Sequence, residues 1–263
     1  MDLGLRGRTA LVLGASKGIG KACAMALGRE GANVMLGARG LAELAATAEE
    51  IRQETGARVE IGSVDVTEAC QCEAIFGAAK TAFGRVDILV NNAGGPPFGS
   101  FDSFNEAQWR AALELNPMSV VRFMNLALPD MKAAGWGRIV NITSLAVKSV
   151  LPGSILSTAG RLGVIGLSKL LADEVASFGV TVNNVAPGSI LTDRVRNTSL
   201  KARLEQGMSE EEALADLAKT IPVRRIGTPD ELAAMVAFLA SEHAGYITGA
   251  TIPVDGGVVR SIL

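Results

Sequence analysis

Three glycines, Gly14, Gly18 and Gly20, stand at the spacing Gly-x-x-x-Gly-x-Gly, directly after the apolar run at 9–13 and at the head of an amphipathic stretch. A turn of that composition brings bare backbone amides and the positive end of a helix dipole to one point, which is the chemistry that holds a pyrophosphate. Ser16, Lys17 and Ile19 fill the positions between, and a dinucleotide is the ligand such a turn fits. The alternative is a tight glycine turn that holds nothing; its placement between strand and helix weighs against that. The next strand end bears on which dinucleotide. An acidic side chain there accepts the ribose hydroxyls and repels a 2′-phosphate, whereas this chain reads Leu36-Gly37-Ala38-Arg39 with no carboxylate. The charge pattern favours NADP over NAD.

A turn of this kind works only when a strand and a helix present it, and the chain supplies them in repetition. Strands are expected at 9–13, 33–36, 58–63, 88–90, 138–141, 181–185 and 250–254, and helices at 18–30, 41–55, 67–83, 160–178 and 229–240. A further helical stretch after Glu106 is interrupted near Pro117. Strand and helix alternate with right-handed crossovers, so the expected fold class is α/β: a Rossmann-type, doubly wound parallel sheet with helices on both faces, forming one domain over 1–263. Residues 189–228 break the rhythm. They are charged, hold a helix-like stretch at 209–219, and are read as a flap over a substrate cleft, against the alternative of a solvated helical excursion.

Composition agrees with buried parallel strands and narrows the partners. The chain is 48% hydrophobic but only 4% aromatic, so its core is built from Val, Ile, Leu and Ala. A net charge of −2 and no basic run leave nothing for nucleic acid or an anionic membrane surface. No apolar run precedes the first strand and none reaches a bilayer's thickness, so neither export nor membrane spanning is expected. Cys23, Cys70 and Cys72 are expected to be free thiols in a reducing cytoplasm; with His243 as the single histidine, no metal site is expected.

The glycine spacing resembles that of the short-chain dehydrogenase/reductase family, and the resemblance runs along nearly the whole chain. Asp65-Val66 is similar to the family's adenine-contacting pair, and Asn91-Asn92-Ala93-Gly94 to its motif after the fourth strand. Pro187-Gly188 with Ile190 and Thr192 resembles its nicotinamide-side segment, and Asp255-Gly256-Gly257 its C-terminal ending. The family's geometry would set Lys17 and Arg39 around a 2′-phosphate, with Ser16 as a neutral donor. It also implies a small-molecule carbonyl or alcohol substrate and a homotetramer joined through helices at 106–132 and 160–178, together with the last-strand region. The match is nearest to its 3-oxoacyl-carrier-protein reductase branch.

At the reacting end the chain departs from the family it resembles. The family uses Ser, Tyr and Lys, with an Asn that holds a proton-relaying water. Asn116 and Ser144 match the asparagine and serine, but the tyrosine position falls on Ser157 and the lysine position on Arg161. The single tyrosine, Tyr246, lies far along the chain and is read as structural. A serine hydroxyl is much harder to ionise than a phenol, and an arginine holds its charge and grips hydroxyls without shuttling protons. Lys148, four residues beyond Ser144, is a candidate substitute donor or base, although a solvated loop lysine is the favoured reading. Two functions follow. One is an oxidoreductase with a non-standard proton relay, whose substrate cavity would have apolar walls from Leu145, Val147, Val150, Leu151 and Ile155; the other is a non-redox NADP-binding protein, sensor or scaffold, whose cavity would be filled.

Overall fold

Strand β1 (Thr9–Leu13) is buried along its whole length and pairs in parallel with β2 (Asn33–Ala38) on one side and β4 (Ile88–Asn91) on the other. The computed structural model describes residues 1–261; the last two positions of the expected 1–263 domain lie outside the described residues. β3 (Val59–Ser63), β5 (Gly137–Ile142), β6 (Val180–Pro187) and β7 (Thr251–Val254) complete a seven-stranded sheet of order β3-β2-β1-β4-β5-β6-β7. Every pairing is parallel. The winding reverses beside β1, which makes the carboxyl ends of β1 and β4 the switch point of the sheet.

Alternation along the strands divides the core in two. Ala10 and Val12 of β1 face the layer of α1 (Gly18–Arg29), α2 (Leu41–Thr55) and α10 (Pro229–Ala240), packing with Leu27, Ile51 and Leu232. Leu11 and Leu13 face the opposite layer, built on α3 (Ala69–Phe83), α5 (Ser119–Ala133) and α6 (Ile155–Val175), with Phe76, Phe123 and Val164. This two-sided burial explains why the strands read as continuous apolar runs.

Three departures from the expected elements matter for the site. Helix α6 starts at Ile155, five positions before the expected start at Gly160. Gly160 is no helix boundary: a Cβ there would stand 3.2 Å from Asn116 Cβ and 3.4 Å from Pro117 Cδ, so the glycine permits close helix packing. The interruption at Pro117 is a π-helical turn, Glu114–Met118, joining α4 (Glu106–Leu113) to α5, and such widened turns favour functional positions. Segment 189–228 folds as α7 (Asp193–Asn197), α8 (Lys201–Glu205) and α9 (Glu210–Lys219), with a small core of Leu200, Ala213 and Leu217. By length and hydropathy the 24 residues Ile155–Phe178 could cross a bilayer. They lie instead against β6, with Arg161 and Ser168 buried.

Candidate functional site

The carboxyl ends of the central strands open onto a cleft of about 810 Å³. Gly14, Ser16, Lys17, Gly18 and Ile19 line one end of it. Gly14 and Gly18 adopt φ of 60° and 58°, a left-handed conformation that only glycine takes at no steric cost. Gly20 serves a different need, because a Cβ there would fall 2.2 Å from the carbonyl oxygen of Gly14. From the neighbouring strand Asn92 Nδ2 donates to the carbonyls of Leu13 at 3.1 Å and Gly14 at 3.4 Å, fixing the turn's orientation. Backbone amides and space, without an opposing carboxylate inside the turn, are what a pyrophosphate requires. The residues present therefore fit a dinucleotide.

The middle of the cleft gathers Asn92, Ala93, Gly94, Ser144, Ser157, Arg161, Pro187, Gly188, Ile190 and Thr192. Ser144 follows β5 and caps a short 3₁₀ turn, its Oγ accepting from the amide of Ala146 at 3.2 Å. Ser157 and Arg161 lie one turn apart on α6, and Arg161 Nε donates to Ser157 Oγ at 3.1 Å. Arg161 Nη1 donates to the carbonyls of Ile142 and Thr143 at 2.7 and 2.8 Å, so the guanidinium is anchored on the carboxyl end of β5. Burial first, and repulsion from Arg194 second, pull its pKa down to about 10. The group keeps its proton at neutral pH and does so without a carboxylate partner among the described residues. Asn116, buried in the π turn, donates to Ala112 O at 3.2 Å. It shares with Arg161, Asn91, Asn141 and Val66 a cavity of about 20 Å³ beneath the cleft floor, large enough for one water. Asn91 Oδ1 at that cavity has no donor among the described residues.

The other expected residues divide between the cleft lining and the surface beyond it. Arg39 is exposed at the end of β2. Asp65 turns its carboxylate on Thr67, whose amide and hydroxyl hold its pKa low. Lys17 pairs with Asp193 at 2.8 Å across the mouth of the turn; the hydrogen bond raises the ammonium pKa and lowers that of the carboxyl. Lys148 is exposed at the end of the 3₁₀ turn and does not line the cleft. Tyr246 is fully exposed and does not line the cleft. Of the expected apolar wall, Leu145 and Leu151 line the cleft, Val150 is 95% exposed to solvent, and Phe98 joins them.

Two features escaped the sequence reading. Arg194, at the start of α7, lines the cleft and donates from Nη1 to Gly95 O at 3.2 Å and from Nη2 to Pro96 O at 3.3 Å. Its signal was a cation two residues beyond Thr192, in the segment leaving β6. The second is a row of buried amides across the sheet: Asn91, Asn141 and Asn184 occupy matched positions in β4, β5 and β6. Asn91 Nδ2 donates to Asn141 Oδ1 at 2.8 Å, and Asn141 Nδ2 donates to Asn184 Oδ1 at 3.1 Å. Ser168 Oγ of α6 donates to Asn184 Oδ1 at 2.9 Å, tying the helix that carries Arg161 to the sheet.

Known proteins match this geometry. A family model described as enoyl-(acyl carrier protein) reductase matches residues 14–259. A 3-oxoacyl-[acyl-carrier-protein] reductase of Vibrio cholerae is 40% identical over 256 residues, 97% of this chain and 99% of that protein. D-beta-hydroxybutyrate dehydrogenase of Cupriavidus necator is 37% identical over 256 residues, with the same coverage of 97% and 99%. Among solved structures, L-sorbose reductase from Gluconobacter frateurii, complexed with NADPH and L-sorbose, superposes with a TM-score of 0.95 at 32% identity over 100% of both chains. Actinorhodin polyketide ketoreductase with NADPH gives a TM-score of 0.89 at 35% identity, covering 97% of this chain and 98% of that one. A parallel sheet wound 3-2-1-4-5-6-7, a glycine turn at its switch point and relatives of equal length agree, and the chain belongs to the short-chain dehydrogenase/reductase family of oxidoreductases, in its 3-oxoacyl-carrier-protein-reductase-like branch.

Proposed function

We propose that the protein is an NADP-dependent oxidoreductase that passes a hydride between the nicotinamide and a small carbonyl or alcohol, with a modified proton relay. The observation that carries this reading is that Ser144, Ser157 and Arg161 open onto the same cleft as the glycine turn. Gly14, Gly18 and Gly20 would seat the pyrophosphate, and Pro187, Gly188, Ile190 and Thr192 the nicotinamide side. NADP is favoured over NAD by the absence of a carboxylate at the end of β2, by the exposed Arg39 beside it, and by the NADPH held in two similar structures. Asp65 and Val66 would bound the adenine, with Ala93 and Gly94 beneath the adjoining ribose.

When bound, the nicotinamide supplies or accepts the hydride. Ser144 donates its hydroxyl hydrogen to the substrate oxygen and polarises the carbonyl. Arg161 would hold ribose hydroxyls of the bound cofactor and places a positive charge beside the site, while Ser157 orients that guanidinium. Asn116 stands at the water-sized cavity under Arg161, from which a water could carry a proton to the reacting oxygen. A filled cleft would have favoured a non-redox binding protein, and the open one favours an enzyme.

The exposed apolar residues Leu113, Met118, Leu162 and Leu170, on α4 to α6, support assembly into a homotetramer. The compartment proposed is the cytoplasm, where free thiols stay reduced. The test is titration of NADPH and NADH by fluorescence, followed by a panel of ketones, diketones and 3-oxoacyl thioesters. NADPH oxidation that Ser144→Ala lowers by about 10²-fold or more supports the assignment. Tight binding with no turnover across the panel returns the weight to a sensor or scaffold.

A further inference from the structure

A charge taken out of water needs a partner, and Arg161 has none of opposite sign among the described residues; Arg194, exposed on the cleft, makes no ion pair among them either. Arg161 is buried on carbonyls and a hydroxyl, and Arg194 is held by the carbonyls of Gly95 and Pro96 with its guanidinium carbon 5.6 Å from the centre of the Phe98 ring. Burial lowers the pKa of each, and no carboxylate among the described residues offsets the shift for either. Arg138 makes the contrast. It too is buried on carbonyls, but it stacks on Trp136, feels Glu242 and lies away from the cleft.

The remaining charges lining the cleft are mostly compensated. Lys21 pairs with Glu50, Arg29 with Glu54, Lys17 with Asp193 and Arg196 with Glu210. Once these are set aside, the cleft lining keeps two cations, Arg161 and Arg194, and one carboxylate, Asp230, beside the apolar Phe98, Leu145 and Leu151. Ribose hydroxyls under Arg161 are neutral, and the charge of the pyrophosphate would fall to the amides of the glycine turn.

We infer that the substrate carries an anionic group of the carboxylate class and that Arg194 is the residue that selects it, which makes the substrate an oxo acid or hydroxy acid with a small apolar body. The inference rests on the hydride-transfer reading for where the substrate lies. Carbonyls orient the Arg194 fork without neutralising it, so a planar carboxylate can take the protons that remain, in the bidentate mode arginine favours. Leu145, Leu151 and Phe98 then hold the carbon skeleton between Arg194 and Ser144.

The test uses the NADPH-loaded protein and a pair of ligands that cannot react with reduced cofactor, 3-hydroxybutyrate and its methyl ester, with binding measured by calorimetry. The acid is expected to bind about 10-fold or more tightly than the ester. Arg194→Met should erase that difference while leaving NADPH affinity within about twofold. Ester binding equal to acid binding overturns the proposal. So does an Arg194→Met variant that binds NADPH about 10-fold more weakly, because the arginine would then serve the cofactor. A separate assay of acetoacetate-dependent NADPH oxidation reports on hydride transfer. Acid-selective binding without oxidation would leave the anion site standing and remove the hydride reading.

Discussion

Replacing Ser157 by tyrosine tests whether proton transfer is what this site lacks. Ser157 lines the cleft from the first turn of α6, so a longer side chain has open space ahead of it and Arg161 one turn behind. A phenol begins near pKa 10. A charge about 4 Å away interacts by about 4 kcal/mol at an effective dielectric of about 20, which is roughly three pKa units, and partial solvation in an open cleft halves this. The introduced phenol would then ionise at about 8 to 9, whereas Arg161, at about 10, keeps its charge throughout that range. The Ser157→Tyr variant should gain about 10- to 10⁴-fold in turnover and acquire a basic limb in its pH–rate profile that the parent lacks. The assay is initial-rate NADPH oxidation between about pH 6 and 10, alongside thermal unfolding to confirm the fold. A folded variant with unchanged turnover and no new limb would refute the reasoning.

Four further outcomes are expected. Gly20→Ala places a Cβ 2.2 Å from Gly14 O, so it should cost about 1–3 kcal/mol of stability and weaken NADPH binding about 10-fold or more as the amides of the turn move; unchanged melting and titration curves would contradict this. Gly77→Ala in the exposed middle of α3, with nothing within 4 Å of the new Cβ, should raise stability by about 0.5–1 kcal/mol without affecting cofactor binding; a lower melting temperature would count against it. Ellman's reagent should modify Cys70 quickly and leave Cys23 and Cys72 until the protein unfolds, since burial raises both buried thiols, Cys23 to about 12; three fast thiols would contradict this. Lys148→Met should leave turnover within about twofold, because the ammonium lies outside the cleft lining; a larger loss would restore Lys148 as a proton donor.

The parts of this molecule legible in sequence are those fixed by local rules. Strand β1 and helices α2 and α10 fall on their expected residues, because a short continuous apolar run or a 3.6-residue apolar period, with glycine or proline punctuation, defines them within their own span. Gly160 shows where local rules stop: it resembled a helix start and is a contact, a fact set by Pro117 on another element. Arg194 was missed for the same reason. Its carbonyl partners Gly95 and Pro96 lie 99 and 98 positions away, and no period in the sequence connects them. The asparagine row was visible as separate residues at strand ends, but its register depends on pairings that only the folded sheet supplies.

The two departures at the reacting end are best understood as one. A tyrosine and a lysine one helical turn apart form a unit in which the cation makes the phenol acidic. Here the partners are a hydroxyl that does not ionise and a guanidinium that does not release its proton, and the first accepts a hydrogen bond from the second. On the proposed reading, proton transfer is exchanged for a permanent charge, which is braced on two carbonyls. On the proposed reading such a charge would stabilise the alkoxide that hydride addition creates, and the proton would come from solvent, by way of the cavity at Asn116. Because the reaction's equilibrium is independent of the enzyme, this exchange slows reduction and oxidation by the same factor. A turnover that stays level where a tyrosine would titrate, together with a normal solvent isotope effect, is the expected signature. A rate that rises with a side-chain ionisation between about pH 7 and 9 would instead place a base in the cleft.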